Sequence, residues 1–138
     1  YCVLLEEESM LMTGDHIMNG STVVIIPPGG DMKDYLASLQ MLKAFPLRQL
    51  APGHGELMPE PVAVIDAILA HRLQRESKVL RALATTGGGT LDELVLHAYD
   101  DVPRALHMMA KYSLWAHLIK LAREDRAAEG SGRWTPLD

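Results

Sequence analysis

The chain has 138 residues, 48% of them hydrophobic and 22% charged, with a formal net charge of −5. That is enough for one domain, or for part of one and a small second one, and no run of 18 apolar residues offers a membrane-spanning helix. The single cysteine, Cys2, excludes an internal disulfide and a cysteine-based structural zinc site, and fits a reducing cytoplasm.

The charge is unevenly placed. Residues 1–60 hold 3 Lys/Arg against 8 Asp/Glu, and residues 61–138 hold 10 of each. The acidic first part is unsuited to phosphate binding, and the neutral second part is no basic nucleic-acid module.

The chain opens on Tyr1-Cys2-Val3-Leu4-Leu5, which reads as the middle of a strand and carries no initiator methionine, so a piece of a longer protein is expected. Cys2 to Leu5 and Met10 to Met12 are short apolar runs joined by the polar turn Glu6-Glu7-Glu8-Ser9, which predicts a hairpin. Ser21 to Ile26 is dense in β-branched residues and predicts a buried strand, ended by Pro27-Pro28-Gly29-Gly30. Asp31 is placed to cap the next helix, whose apolar face is Tyr35, Leu36, Leu39 and Leu42. Pro46 ends that helix, and Arg48 to Ala51 reads as a brief strand running into Pro52-Gly53-His54-Gly55.

From Pro61 the pattern turns helical. Val62, Ile65, Leu69, Leu73, Leu80 and Leu83 predict an apolar stripe over about six turns, closed by Gly87-Gly88-Gly89. Thr90-Leu91-Asp92-Glu93 has the spacing of a capping box. Pro103 suits the first turn of a last long helix with Leu106, Ala110, Leu114, Leu118 and Leu121 on one face. Arg104, His107, Lys111, His117 and Lys120 are expected on its exposed side. Arg126 to Pro136, broken by Gly130-Ser131-Gly132, predicts a terminal hairpin. Trp115 and Trp134 are read as core residues in preference to base-stacking ones.

Two short stretches could carry chemistry. In Thr13-Gly14-Asp15-His16 a carboxylate sits just past a strand, and in Pro52-Gly53-His54-Gly55 glycines flank an imidazole after another. A carboxylate can bridge two metal ions, and a neutral imidazole suits zinc. Taken singly, both stretches are common turn chemistry. His16 is a third candidate ligand whose simpler reading is a polar loop residue.

Together with Asn19-Gly20-Ser21-Thr22, Pro27-Pro28-Gly29-Gly30-Asp31 and Tyr35-Leu36-Ala37-Ser38-Leu39, these stretches make residues 1–60 resemble the second half of the metallo-β-lactamase fold. His71-Arg72-Leu73 and Tyr99-Asp100-Asp101-Val102-Pro103 resemble the winged-helix-like extension of one subfamily of it, here residues 61–138. The resemblance implies an α+β chain: the C-terminal half of an αββα sandwich followed by a small, mostly helical winged-helix-like domain. It implies that Asp15 matches the metal-bridging aspartate and His54 the last histidine ligand of the second metal. The activity it implies is hydrolysis of a thioester, ester or phosphodiester by water activated on two divalent ions, zinc by preference.

The family's His-x-His-x-Asp-His motif is absent, as is a separate histidine expected upstream of Tyr1. With Asp15 and His54 alone, this chain is expected to form no stable zinc site and to be inactive by itself. Half a sandwich also leaves an apolar sheet face uncovered, so self-association or pairing with the missing N-terminal half is expected. The expected substrate is a small-molecule ester or thioester, with single-stranded RNA as a second candidate and no membrane partner. The alternative readings are a nucleic-acid-binding winged helix, or part of a single-stranded RNA endonuclease, and last an oligomerisation domain.

Overall fold

The computed structural model describes residues 1–138. The elements in chain order are β1 (Val3–Leu5), β2 (Met10–Gly14), α1 (Met32–Leu42), β3 (Gln49–Pro52), β4 (Met58–Pro59), α2 (Pro61–Thr86), α3 (Leu91–Ala98), a 3-10 turn (Arg104–Leu106), α4 (His107–Arg123), β5 (Ala127–Gly130) and β6 (Arg133–Pro136). The class is α+β, as expected. The chain divides into two units, Tyr1–Val23 with Leu36–Ala70, and Val24–Tyr35 with His71–Asp138.

The first unit is built on a four-stranded sheet of order β1-β2-β3-β4. β1 pairs with β2 as the predicted hairpin, β2 runs parallel to β3, and β3 turns back antiparallel to β4. In register, Leu4 faces Leu11, Leu11 faces Leu50, and Leu50 faces Met58. Because side chains alternate along a strand, these four share one face. Leu11, Leu50 and Met58 are buried, as are Leu39 and Leu42 of α1 and Ile65 of α2. The opposite face carries Val3, Met12 and Ala51 in one row and Leu5, Met10, Gln49 and Pro59 in the next. It is largely open: Val3 is 53%, Met12 47% and Leu5 36% exposed.

The run Ser21 to Ile26 departs from expectation. It joins neither sheet, and only Ile25 within it is buried, Val24 and Ile26 being exposed. β-branched density gives a segment strand propensity, but a strand exists only where a neighbour completes its ladder. The two-residue strand β4 was not legible beforehand, since two residues carry no period. α1 begins as read: Asp31 Oδ1 accepts a hydrogen bond from the Asp34 N–H at 2.9 Å.

The second unit holds a core of Val79, Leu83, Leu94, Val95, Ala98, Leu114, Leu118, Leu121 and Trp134 among others. Its α3 starts with the predicted capping box: Thr90 Oγ1 accepts from Glu93 N–H, and Glu93 Oε2 accepts from Thr90 N–H at 2.8 Å. β5 and β6 form the terminal hairpin. Its turn is held by the Gly132 N–H donating to Glu129 Oε1 at 2.7 Å. Trp134 and Gly89 exchange both backbone hydrogen bonds, at 2.9 and 2.8 Å, so residue 89 forms an extra rung beside β6. Gly88 is required there: its φ is +118°, and a Cβ would lie 2.5 Å from the Trp134 carbonyl oxygen. Helix, helix, helix and hairpin with that added rung make the winged-helix order.

The buried side of α2 differs from the predicted stripe. Ile65, Arg72, Glu76, Val79 and Leu83 are buried at helical spacing, whereas Val62 and Leu73 are exposed. Two charged residues thus occupy core positions. The Arg72 guanidinium lies 5.5 Å from the centre of the Tyr35 ring. Lys120 Nζ lies 3.1 Å from Glu76 Oε1 and 2.9 Å from Oε2, and also donates to Glu124 at 2.7 Å. His117 Nδ1 is 3.7 Å from Glu76 Oε2. Burial pushes the Glu76 carboxyl up, but His117 and Lys120 together outweigh it and hold its pKa below the ordinary value. Burial pushes the His117 imidazole down, and Glu76 opposes this only in part.

The exposed side of α4 is corrected accordingly. His117 has no exposed surface, and Lys120 is committed to two carboxylates. His107 Nε2 sits 2.9 Å from the Val102 carbonyl and 3.1 Å from that of Tyr99, so this nitrogen carries the proton. Lys111 pairs with Asp92 at 2.7 Å. What the helix start does expose is Leu106, Met108, Met109 and Tyr112 beside Arg104. Trp134 is buried in the core, and Trp115 packs against it half-buried.

Candidate metal centre

The two candidate ligands come from the ends of neighbouring strands. β2 and β3 are parallel, with Gly14 opposite Pro52 at their last rung. Parallel pairing brings the loops that follow both strands to the same end of the sheet, where ligands of α/β sheets commonly lie. The register slips between Met12 and Gly14. Such an irregularity re-aims the chain at the end of a strand. Gly14 takes φ +53°, which turns Asp15 out of the sheet.

Asp15 Oδ1 and His54 Nε2 are 3.8 Å apart. Both side chains are open to solvent, at 79% and 83% exposure. The loops that carry them are fastened at the base by the Gly53 N–H, which donates to the Gly14 carbonyl at 2.8 Å. A side chain at Gly53 would crowd the neighbouring loop, since a Cβ would lie 3.2 Å from the Gly14 carbonyl carbon and 3.3 Å from Asp15 Oδ1, and that loop would have to give by a few tenths of an ångström. The first glycine of the Gly-His-Gly stretch therefore lets the two loops approach this closely without adjustment.

Thr13, two residues before Asp15, has a structural role. It is fully buried, its Oγ1 donates to the Ile17 carbonyl at 2.8 Å, and it lies 3.4 Å from the Ala51 carbonyl. The hydroxyl closes the turn that presents Asp15. A polar β-branched residue on the inward phase of a strand was the available signal. His16 Nε2 lies 2.8 Å from Ser38 Oγ. Burial, followed by the positive chain start, pushes its pKa down. Its ring is engaged with α1, and it lines a groove of about 430 Å³ with Leu4, Leu11, Ser38 and Phe45.

Asp15 and His54 supply one carboxylate and one imidazole, donors that a divalent ion such as zinc accepts. No group of three or more His, Cys, Asp or Glu side chains is placed to hold a metal ion. A closed or catalytic zinc shell takes at least three protein ligands. The pair by itself therefore fits no more than part of such a ligand set.

Comparison with known proteins agrees with this architecture. Residues 90–134 match the family model for the beta-lactamase associated winged helix domain. The chain is 30% identical over 128 residues to the Beta-lactamase-like protein 2 homolog of Drosophila melanogaster, a match covering 91% of this chain and 42% of that protein. It is 25% identical over 156 residues to an atrochrysone carboxyl ACP thioesterase of Aspergillus fumigatus, covering 99% of this chain and 36% of that one. The crystal structure of a metallo-beta-lactamase family protein from Thermus thermophilus superposes with a TM-score of 0.82 at 25% identity, covering 98% of this chain and 44% of the other. The chain spans less than half the length of each of these proteins. By its fold, its hairpin-bearing helical unit and these matches, it belongs to the metallo-β-lactamase-fold proteins with an associated winged helix domain, of which it is the C-terminal part.

Proposed function

We propose that the complete protein containing these residues is a metal-dependent hydrolase of an ester or thioester, in which Asp15 and His54 are two of the metal ligands. The observation that supports this reading is the 3.8 Å approach of the two side chains at the shared end of two parallel strands. The similarity to an ACP thioesterase favours a thioester among the candidate bonds. A divalent ion held there in part by Asp15 and His54 would lower the pKa of a bound water and polarise the scissile carbonyl. This chain's residues contribute by holding and orienting: Asp15 through the Thr13-closed turn, and His54 through its glycine-bounded loop. No helix is long and apolar enough to cross a membrane, and the cytoplasm remains the proposed location.

Titrating the chain with Mn2+ and following its NMR spectrum tests the ligand assignment. Paramagnetic broadening centred jointly on Asp15 and His54 is expected, and should vanish in Asp15→Asn. Broadening scattered over the acidic surface, with these two residues untouched, would overturn the reading. The same chain is expected to hydrolyse neither esters nor thioesters alone, because two donors hold a divalent ion too weakly for catalysis.

The open sheet face carries a second part of the proposal. Val3, Leu5, Met10, Met12 and Ala51 form one continuous apolar surface. In the complete protein the missing N-terminal half covers it, and in its absence a second copy of the chain does so. Sedimentation velocity is expected to show a concentration-dependent oligomer. Val3→Lys with Met12→Lys should leave a folded monomer, and a wild-type monomer at every concentration would refute the pairing.

A further inference from the structure

Beyond the ligand pair itself, the loops around it form a two-point clasp. Its base is the Gly53 N–H bond to the Gly14 carbonyl at 2.8 Å. Its far side is the Asn19 side chain, whose Nδ2 donates to the Glu56 carbonyl at 3.2 Å. The two ties are nested around the ligands: Asp15 lies between 14 and 19 in one loop, and His54 between 53 and 56 in the other.

The second glycine of Gly53-His54-Gly55 belongs to the same clasp. Gly55 has φ +95°, which side-chain-bearing residues rarely adopt, and a Cβ there would lie 3.1 Å from the Asn19 Cβ. The backbone of Gly55 thus packs directly beneath Asn19. One glycine of the pair admits the Gly14–Asp15 turn and the other admits Asn19.

The need for such a tie follows from exposure. His54 and Asp15 are both solvent-exposed, and neither is held in place by surrounding side chains. A mobile imidazole binds a metal ion more weakly, because ordering it costs entropy at the moment of binding. We infer that Asn19 is a positioning residue, which through the Glu56 carbonyl holds the His54 loop against the Asp15 loop and sets how well the two ligands meet a shared cation. The metal part of this inference rests on the function proposed above. The loop geometry does not.

Amide exchange in the full chain tests it without metal. In Asn19→Ala, and independently in Gly55→Ala, the Gly53 amide is expected to exchange about threefold to tenfold faster, the range that one ordinary hydrogen bond gives. The Leu39 and Leu50 amides should be unchanged, which separates an opened clasp from general destabilisation. In the Mn2+ titration, the concentration that half-broadens His54 should rise by a similar factor in both variants. Unchanged Gly53 exchange in both variants would overturn the inference, as would Gly53 rising only in step with Leu39 and Leu50. If the wild-type chain shows no Mn2+ effect at Asp15 and His54, the metal reading falls, and Gly53 exchange alone still decides whether Asn19 holds the loop.

Discussion

Trp134→Ala is expected to lower the stability of the second unit by about 3–5 kcal/mol, the usual cost of emptying a large aromatic site in a core. Trp134 is buried among Leu83, Leu94, Leu118 and Leu121. Its backbone also completes the rung with Gly89, so the cavity would open where the hairpin is fastened to the start of α3. Urea unfolding followed by far-UV circular dichroism measures the loss. A change below about 1 kcal/mol, typical of surface substitutions, would show that the hairpin is an appendage and not a lid on the core.

Glu76→Ala is expected to cost about 3 kcal/mol, since removing one member of a buried ion pair strands the other. Lys120 would keep Glu124 but lose Glu76, and His117 would lose its only nearby carboxylate. Replacing Glu76 and Lys120 together by methionine should recover most of that loss, because the charge then left without its partner, that of Glu124, is partly open to solvent. If the double variant is as unstable as the single one, shape and not charge governs the site.

The same cluster sets a pH dependence. The folded pKa of His117 lies below its unfolded value of 6.5. As pH falls below about 6.5, the unfolded chain takes up a proton that the folded chain refuses, so stability falls, by at most about 1.4 kcal/mol per pH unit for each such histidine. His16 and His71 are lowered too and act in the same direction. Glu76 adds a separate loss at more acid pH: its depressed pKa stabilises the fold above about 4.5 and ceases to do so as pH falls through the folded value. His117→Leu should make the first slope shallower and, because His117 helps to hold the Glu76 pKa down, should reduce the second loss as well.

Features written in local patterns were readable beforehand. The β1–β2 hairpin, the Asp31 and Thr90 caps, the extent of α2 and the terminal hairpin each follow from turn residues, caps or a sustained period. Features that depend on partners were not. Ser21 to Ile26 has strand composition but no ladder neighbour. Arg72 and Glu76 lie outside the predicted apolar stripe of α2, and nothing in a one-dimensional pattern shows Tyr35, His117 and Lys120 waiting for them across the fold. For the candidate centre, the ligand types and their flanking glycines were visible in Asp15 and Gly53-His54-Gly55. The contributions of Thr13 and Asn19 were not, since both act through backbone carbonyls that any residue could supply.

The tip of the hairpin has a bearing on what can approach it. Its tight turn is locked by the Glu129 carboxylate, which cannot be removed without loosening the loop. A polyanionic strand arriving at this end would meet that fixed negative group together with the exposed Arg133, which pairs with Gly130 beside the turn. Opposite charges so close together give this end no net electrostatic grip on a charged polymer, and at physiological salt their fields fade within about 8 Å.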